Sequence, residues 1–243
     1  PDMRAHLLKV VKETCVDNKG RLIIPAFSVD RTQELIYALD ILENEGKLPR
    51  IPVYIDSPLS VKATLVMRKH EEEFNPAILK YIKRDGDAFG FDNLHYITKV
   101  EDSKAINSSK EPCIIISSSG MAEAGRIKHH IKNNCEDSKN TILIVGYCSP
   151  SSLGHKIKMK SPEIRIFGDT FKLNANVEVM DSFSAHADYK EMLGYLTCQD
   201  TSKVKKLFLV HGEIDRQTAF KARLEKVGFK NVEIPQLGEG FEI

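Results

Sequence analysis

The sequence predicts an α/β fold, with a mostly parallel sheet flanked by helices and a second, smaller α/β portion after it. Three observations predict this. Short apolar runs alternate with longer segments of helical periodicity. Those runs are dense in Ile, Val and Leu without polar alternation, as strands covered on both faces require. Gly, Pro and Ser fall between the periodic segments, where turns are needed.

Each element follows in order. Arg4–Cys15 places Leu7, Leu8, Val10 and Val11 on one helical face, and Asp17–Gly20 is a turn. Arg21–Phe27 (RLIIPAF) is a buried strand. Asp30–Glu45 spaces Leu35, Ile36, Leu39 and Leu42 along a helix that Gly46 can end. Pro52–Asp56 is a strand, a helix follows Pro58, and Pro76–Lys83 is helical. Leu94–Thr98, Cys113–Ser117 and Thr141–Gly146 are strands, with a helix over Met121–Asn133 between the last two. The character shifts after about Ser161. Glu163–Phe167 and Asn176–Val179 read as strands bracketing a hairpin-like Gly168-Asp169-Thr170. SFSAHADYK opens a helix, and Val204–Val210 is a strand running into His211-Gly212-Glu213. A helix over Asp215–Val227 and a strand over Val232–Pro235 complete the pattern.

Composition narrows the function. Of 243 residues, 42% are hydrophobic and 28% charged, which excludes wholesale disorder. The net charge of +1 excludes a globally basic nucleic-acid clamp. Local basic clusters remain at Arg126, Lys128, His129 and His130, at Lys156, Lys158 and Lys160, and at Lys203, Lys205 and Lys206. No apolar run approaches the roughly 20 residues that span a bilayer, so no membrane partner is expected. The five cysteines are widely spaced without C-x-x-C, which excludes a zinc knuckle and leaves a cytoplasmic location as the expectation. A dinucleotide-binding G-x-G-x-x-G is absent. The opening PDMRAHLLKVV has neither initiator Met nor signal peptide, and reads as the interior of a longer protein.

Five loops can carry chemistry. A strand delivers His211 at its carboxyl end, where a neutral imidazole can ligate zinc and Glu213 can orient it. In DSFSAHADY, His186 can donate a proton with Asp188 beside it, although the serines there can also simply cap a helix. Ser117, Ser118, Ser119 and Gly120 form a strand-to-helix loop whose amides suit phosphate, with Arg126 on the helix beyond. Gly146–His155 is a similar polar loop. Arg31 opens the helix after Phe27, where a guanidinium suits bidentate phosphate contact.

IPAFSVDRTQELIYALD, IISSSGMAEAGR, DSFSAHADY and LVHGE, in this order, resemble the β-CASP branch of the metallo-β-lactamase superfamily, the branch of RNase J and the mRNA 3′-end cleavage endonuclease. The resemblance covers essentially the whole chain. It implies residues 1–6 as the end of an N-terminal lactamase portion, 7–180 as the β-CASP cap and 181–243 as the C-terminal lactamase portion. It implies that His186 and Asp2 are catalytic and that His211 ligates zinc, with Asp188 and Glu213 supporting them. Arg31, Ser117, Ser118, Ser119, Gly120 and Arg126 would face substrate. The implied activity is hydrolysis of single-stranded RNA by a hydroxide on a pair of zinc ions. Histidine at position 211, where DNA-repair members typically carry Val, implies RNA. Two departures stand out. Ser151 and His155 replace the usual Gly and Arg after the fourth cap strand, and the upstream H-x-H-x-D-H motif is not in this chain. The chain alone is therefore expected to be inactive and short of zinc ligands, and to need that N-terminal portion as a partner. A homodimer is left open. The alternative is a catalytically inactive β-CASP subunit that binds RNA or acts as a scaffold.

Overall fold

A computed structural model describes residues 3–180 and 187–242, so Asp2 and His186 lie outside the described residues. Helix α1 (Met3–Val11) runs into a π-helical stretch over Lys12–Asp17. Next come β1 (Leu22–Pro25), α2 (Arg31–Asn44), β2 (Val53–Ile55), α3 (Pro58–Lys69), α4 (Pro76–Asp85) and β3 (Leu94–Tyr96). They are followed by α5 (Val100–Ser108), β4 (Ile114–Ser117), α6 (Ile127–Asn134), β5 (Thr141–Ile144) and α7 (Leu153–Lys158). β6 (Glu163–Ile166), β7 (Asp169–Lys172) and β8 (Asn176–Val179) complete the first of two compact units, Pro1–Ser184. The second unit, Ala185–Ile243, carries α8 (Tyr189–Leu196), β9 (Leu207–Phe208), α9 (Ile214–Lys226) and β10 (Val232–Glu233).

The first unit is built on a six-stranded sheet in the order β3-β2-β4-β1-β5-β8, and all its pairings are parallel. The aliphatic runs explain why these strands sit inside. β1, β4 and β5 are buried at every position. Successive residues of β1 serve opposite faces: Leu22 and Ile24 pack with α1 and α2, while Ile23 packs with Ile127 and Ile131 of α6 and Ile157 of α7. Each fully buried Ile or Leu stabilises by about 1.5–3 kcal/mol. The second unit has a small core of Leu224, Phe229 and Val232, and a two-stranded parallel β9–β10 sheet.

Two readings of the sequence are corrected, and two elements were not read. The hairpin pairs β6 with β7 antiparallel, whereas Asn176–Val179 joins β5 as the edge of the large sheet. Asp169–Lys172 (DTFK) is exposed or half-exposed throughout, so it carries no apolar signal of a strand. The helix expected from Met121 begins only at Ile127, because Ala122 (φ 59°) and Gly125 (φ 80°) take left-handed backbone that no α-helix admits. Helix α5 was not read at all, since VEDSKAINS buries only Ser103 and Ile106.

Asp40 on α2 is 1% exposed and accepts a hydrogen bond from the Tyr81 hydroxyl at 2.9 Å. Burial pushes its carboxyl up to about 7 against that hydrogen bond. The folded chain thus keeps a proton that the unfolded chain releases near about pH 4. Stability must fall as pH rises between those values. Asp40→Asn is expected to melt higher than the parent at pH 8 and to lose that advantage by pH 4. Parallel melting curves across that range would refute this.

Candidate functional site

Because β2, β4 and β1 are adjacent, the loops at their carboxyl ends meet at one edge of the sheet. Open parallel sheets bind ligands at this edge. The Ser57 and Ser118 hydroxyls lie 2.8 Å apart, and Ser28 lies 3.3 Å from Ser57. Ser57 also caps α3, accepting from the Ser60 amide at 3.2 Å. A cavity of about 190 Å³ opens here, lined by Phe27, Ser28, Ser118, Ser119, Ala124 and Gly125. Glycine is required twice around it. A Cβ at Gly125 would lie 2.3 Å from the Ser118 carbonyl oxygen, and one at Gly120 would lie 2.9 Å from the Phe27 ring. Ser119 Oγ accepts from the Glu123 and Ala124 amides at 3.2 Å each, folding the loop back on itself.

Asp56 holds this edge together. Its side chain is fully buried. Arg126 donates to Oδ1 at 2.6 Å; the His130 Nε2 lies 2.6 Å from Oδ2, to which Ser103 also donates. Ser117 Oγ donates to the Asp56 backbone carbonyl at 2.7 Å. Burial alone would raise the Asp56 carboxyl, but the hydrogen bonds from His130, Ser103 and Arg126 together hold it below the usual carboxylate value. The other end of the His130 ring faces Asn107 Oδ1 at 2.9 Å, and Arg126 reaches the Thr98 carbonyl at 2.7 Å. The network ties β2, β4, α5 and α6 into one floor beneath the hydroxyls.

The structure brings Ser117, Ser118, Ser119, Gly120 and Arg126 together, and adds Ser28, Ser57 and Asp56, which the sequence did not single out, and His130, which it offered only as part of a basic cluster. Arg126 precedes α6 rather than lying on it, and braces the floor between Asp56 and Thr98. The Arg31 side chain is 8% exposed and pairs with Glu34. A sequence signal for the missed residues existed in Asp-Ser-Pro at a strand end. Its partner His130 lies 74 residues away, which no local pattern links.

In the second unit, His211 is exposed on the loop between β9 and α9, with φ 66°. Glu213 precedes α9 and its side chain makes no capping bond. Asp188 caps α8: its Oδ1 accepts from the Lys190 amide at 2.7 Å and the Glu191 amide at 2.9 Å, while Glu191 returns a bond to the Asp188 amide. The Glu191 amide foremost holds that carboxyl low. Among the described residues, no group of three or more His, Cys, Asp and Glu is placed to hold a metal ion. His211 can supply one imidazole to a zinc ion but cannot hold one alone, and no step through zinc is assigned to these residues.

The profile of the Beta-Casp domain matches residues 32–157, which contain four of the six sheet strands and most of the serine edge. The chain belongs to the β-CASP family of metallo-β-lactamase-type proteins. A second profile, described as a Zn-dependent metallo-hydrolase RNA specificity domain, matches residues 170–235. Relatives of this β-CASP chain include Ribonuclease TTHA0252 of Thermus thermophilus, 30% identical over 98% of this chain and 53% of that protein. An RNase J-like protein of Methanocaldococcus jannaschii is 30% identical over 96% of the chain and 51% of its own length. The transcription termination factor FttA of Methanosarcina mazei is 31% identical over 87% and 34%. The chain thus spans about half, or about a third, of the lengths of these relatives.

Proposed function

We propose that this chain is the cap and RNA-specificity portion of a zinc-dependent hydrolase that cleaves phosphodiester bonds of single-stranded RNA in the cytoplasm. The observation that carries the reading is the cavity between Phe27, Ser28 and the Ser118–Ser119 loop at the carboxyl edge of the sheet, in a β-CASP chain that also matches an RNA specificity domain. In this reading residues 1–6 and 181–243 belong to the lactamase portion and 7–180 to the cap. The Ser28 and Ser118 hydroxyls, braced from behind by buried Ser57, donate to backbone phosphates of the strand. Hydroxyls on a rigid floor lose little conformational freedom when they do so. His186 donates a proton to the leaving oxygen, aided by Asp2, and His211 serves the metal. The other zinc ligands come from outside the described residues. Ribonuclease names among the relatives support hydrolysis of RNA.

The test uses the whole protein that contains this chain, zinc-loaded, with end-labelled single-stranded and duplex RNA of one sequence. Cleavage of the single strand alone, lost on chelation and restored by zinc, is the expected result. Tight binding of single strands without cleavage in the zinc-loaded protein would overturn the hydrolase reading in favour of an RNA-binding subunit.

A further inference from the structure

The β6–β7 hairpin buries Ile164 and Ile166 and turns at Phe167 and Gly168. Both turn residues have positive φ, 54° and 94°, a geometry that Asn-Gly serves and that strains a bulky side chain. Phe167 stands there nonetheless, 49% exposed and outside the core. One amine and one imidazole lie against its ring. The Lys128 Nζ lies 4.8 Å from the ring centroid, and the His129 ring lies 4.7 Å away at 37°. Beside it, the Lys132 Nζ lies 5.2 Å from the Phe171 ring. Lys128 and Lys132 share one side of α6, four residues apart. Arg165, whose Nε donates to the Gly168 carbonyl at 3.2 Å, and Lys172 add positive charge along the hairpin. Asp169 pairs with Lys132 at 3.4 Å and, with Glu163, leaves the patch net basic. The first turn of α6 follows directly on Arg126, which is bound to Asp56 at the carboxyl edge, so the patch adjoins that edge within the same unit.

An exposed aromatic at a position that disfavours it, with an amine over its ring and a second on the same helix side, suits a polyanion that also carries flat bases. We infer that Phe167 is a base-stacking platform for single-stranded RNA, with Lys128 and Lys132 holding the flanking phosphates, outside the serine-lined cavity. The inference rests on the RNA reading above and gives the strand a second anchor.

The experiment measures the affinity of the full protein for a fluorescent single-stranded oligouridylate by anisotropy across a salt series. Phe167→Ala is expected to weaken binding about tenfold, the loss of one stacked base. Phe167→Trp should restore it. Lys128→Ala should lower the slope of log K on log salt by about 0.7, one released counterion on a single strand. Phe167→Ala binding like the parent would overturn the platform and leave the RNA reading intact. Equal losses in Phe167→Ala and Phe167→Trp, with lowered melting temperatures, would also overturn it, by assigning the ring a structural role. A parent protein that binds no RNA would overturn the RNA reading itself, and the platform with it.

Discussion

Asp56→Ala is expected to lower the melting temperature by about 10 °C, the largest stability effect of any single change at the sheet edge. The magnitude follows from what is left behind. Arg126 and His130 would lose their shared carboxylate, and His130 is itself completely buried. Removing one member of a buried charged network costs about 3–5 kcal/mol, because its partners remain desolvated and unmatched. Asp56→Asn keeps the shape and one acceptor, so its loss should be intermediate. The pH dependence has a definite sign. The folded-state carboxyl is held below its unfolded value, so its contribution is fully present above about pH 4 and is lost as pH falls through the folded value. Thermal melts by circular dichroism at neutral and acid pH measure both effects. An Asp56→Ala protein that melts like the parent at pH 7 would show that the floor is not held by this carboxylate.

His186→Ala in the whole protein is expected to reduce turnover by roughly 10²- to 10⁴-fold, with RNA affinity nearly unchanged. The residue lies outside the described residues, and the expectation comes from DSFSAHADY and the role proposed above. Affinity should survive because the hydroxyl cavity belongs to Ser28, Ser118 and Ser119, on other loops. Single-turnover cleavage beside a binding isotherm separates the two quantities. Full activity in this variant would remove His186 as the proton donor, and a matching fall in affinity would make it a binding group.

The large sheet was legible because its strands are so heavily buried: LIIP, IIIS and TILI carry their environment in their composition. Helix α2 was legible because Leu35, Ile36 and Leu39 recur on one face above a Gly46 stop with φ 66°. Elements that bury little were not. DTFK pairs through its backbone, and α5 offers the core little beyond Ile106. The site was half legible. Ser/Gly loops at strand ends advertise themselves, so Ser117–Gly120 was read as a loop able to carry chemistry. Asp56 and His130 were not read as a pair, because their importance lies in a contact between distant segments. Arg31 was read from its place at a helix start, but its pairing with Glu34 three residues on could not be read from that place alone.

The parallel order of the sheet also bears on how the protein is made. β1 lies between β4 and β5, and the Arg21–Cys113 contact at the foot of the β1–β4 pair joins residues 92 positions apart. At ribosomal speeds of about 5–20 residues per second, the aliphatic β1 waits on the order of 5–20 s for its first lateral partner to be synthesised. During that interval its hydrogen-bonding edges have neither of their sheet neighbours beside them. The nascent cap is therefore a natural client for holdase chaperones, and slowing translation between β1 and β4 lengthens its exposure to aggregation.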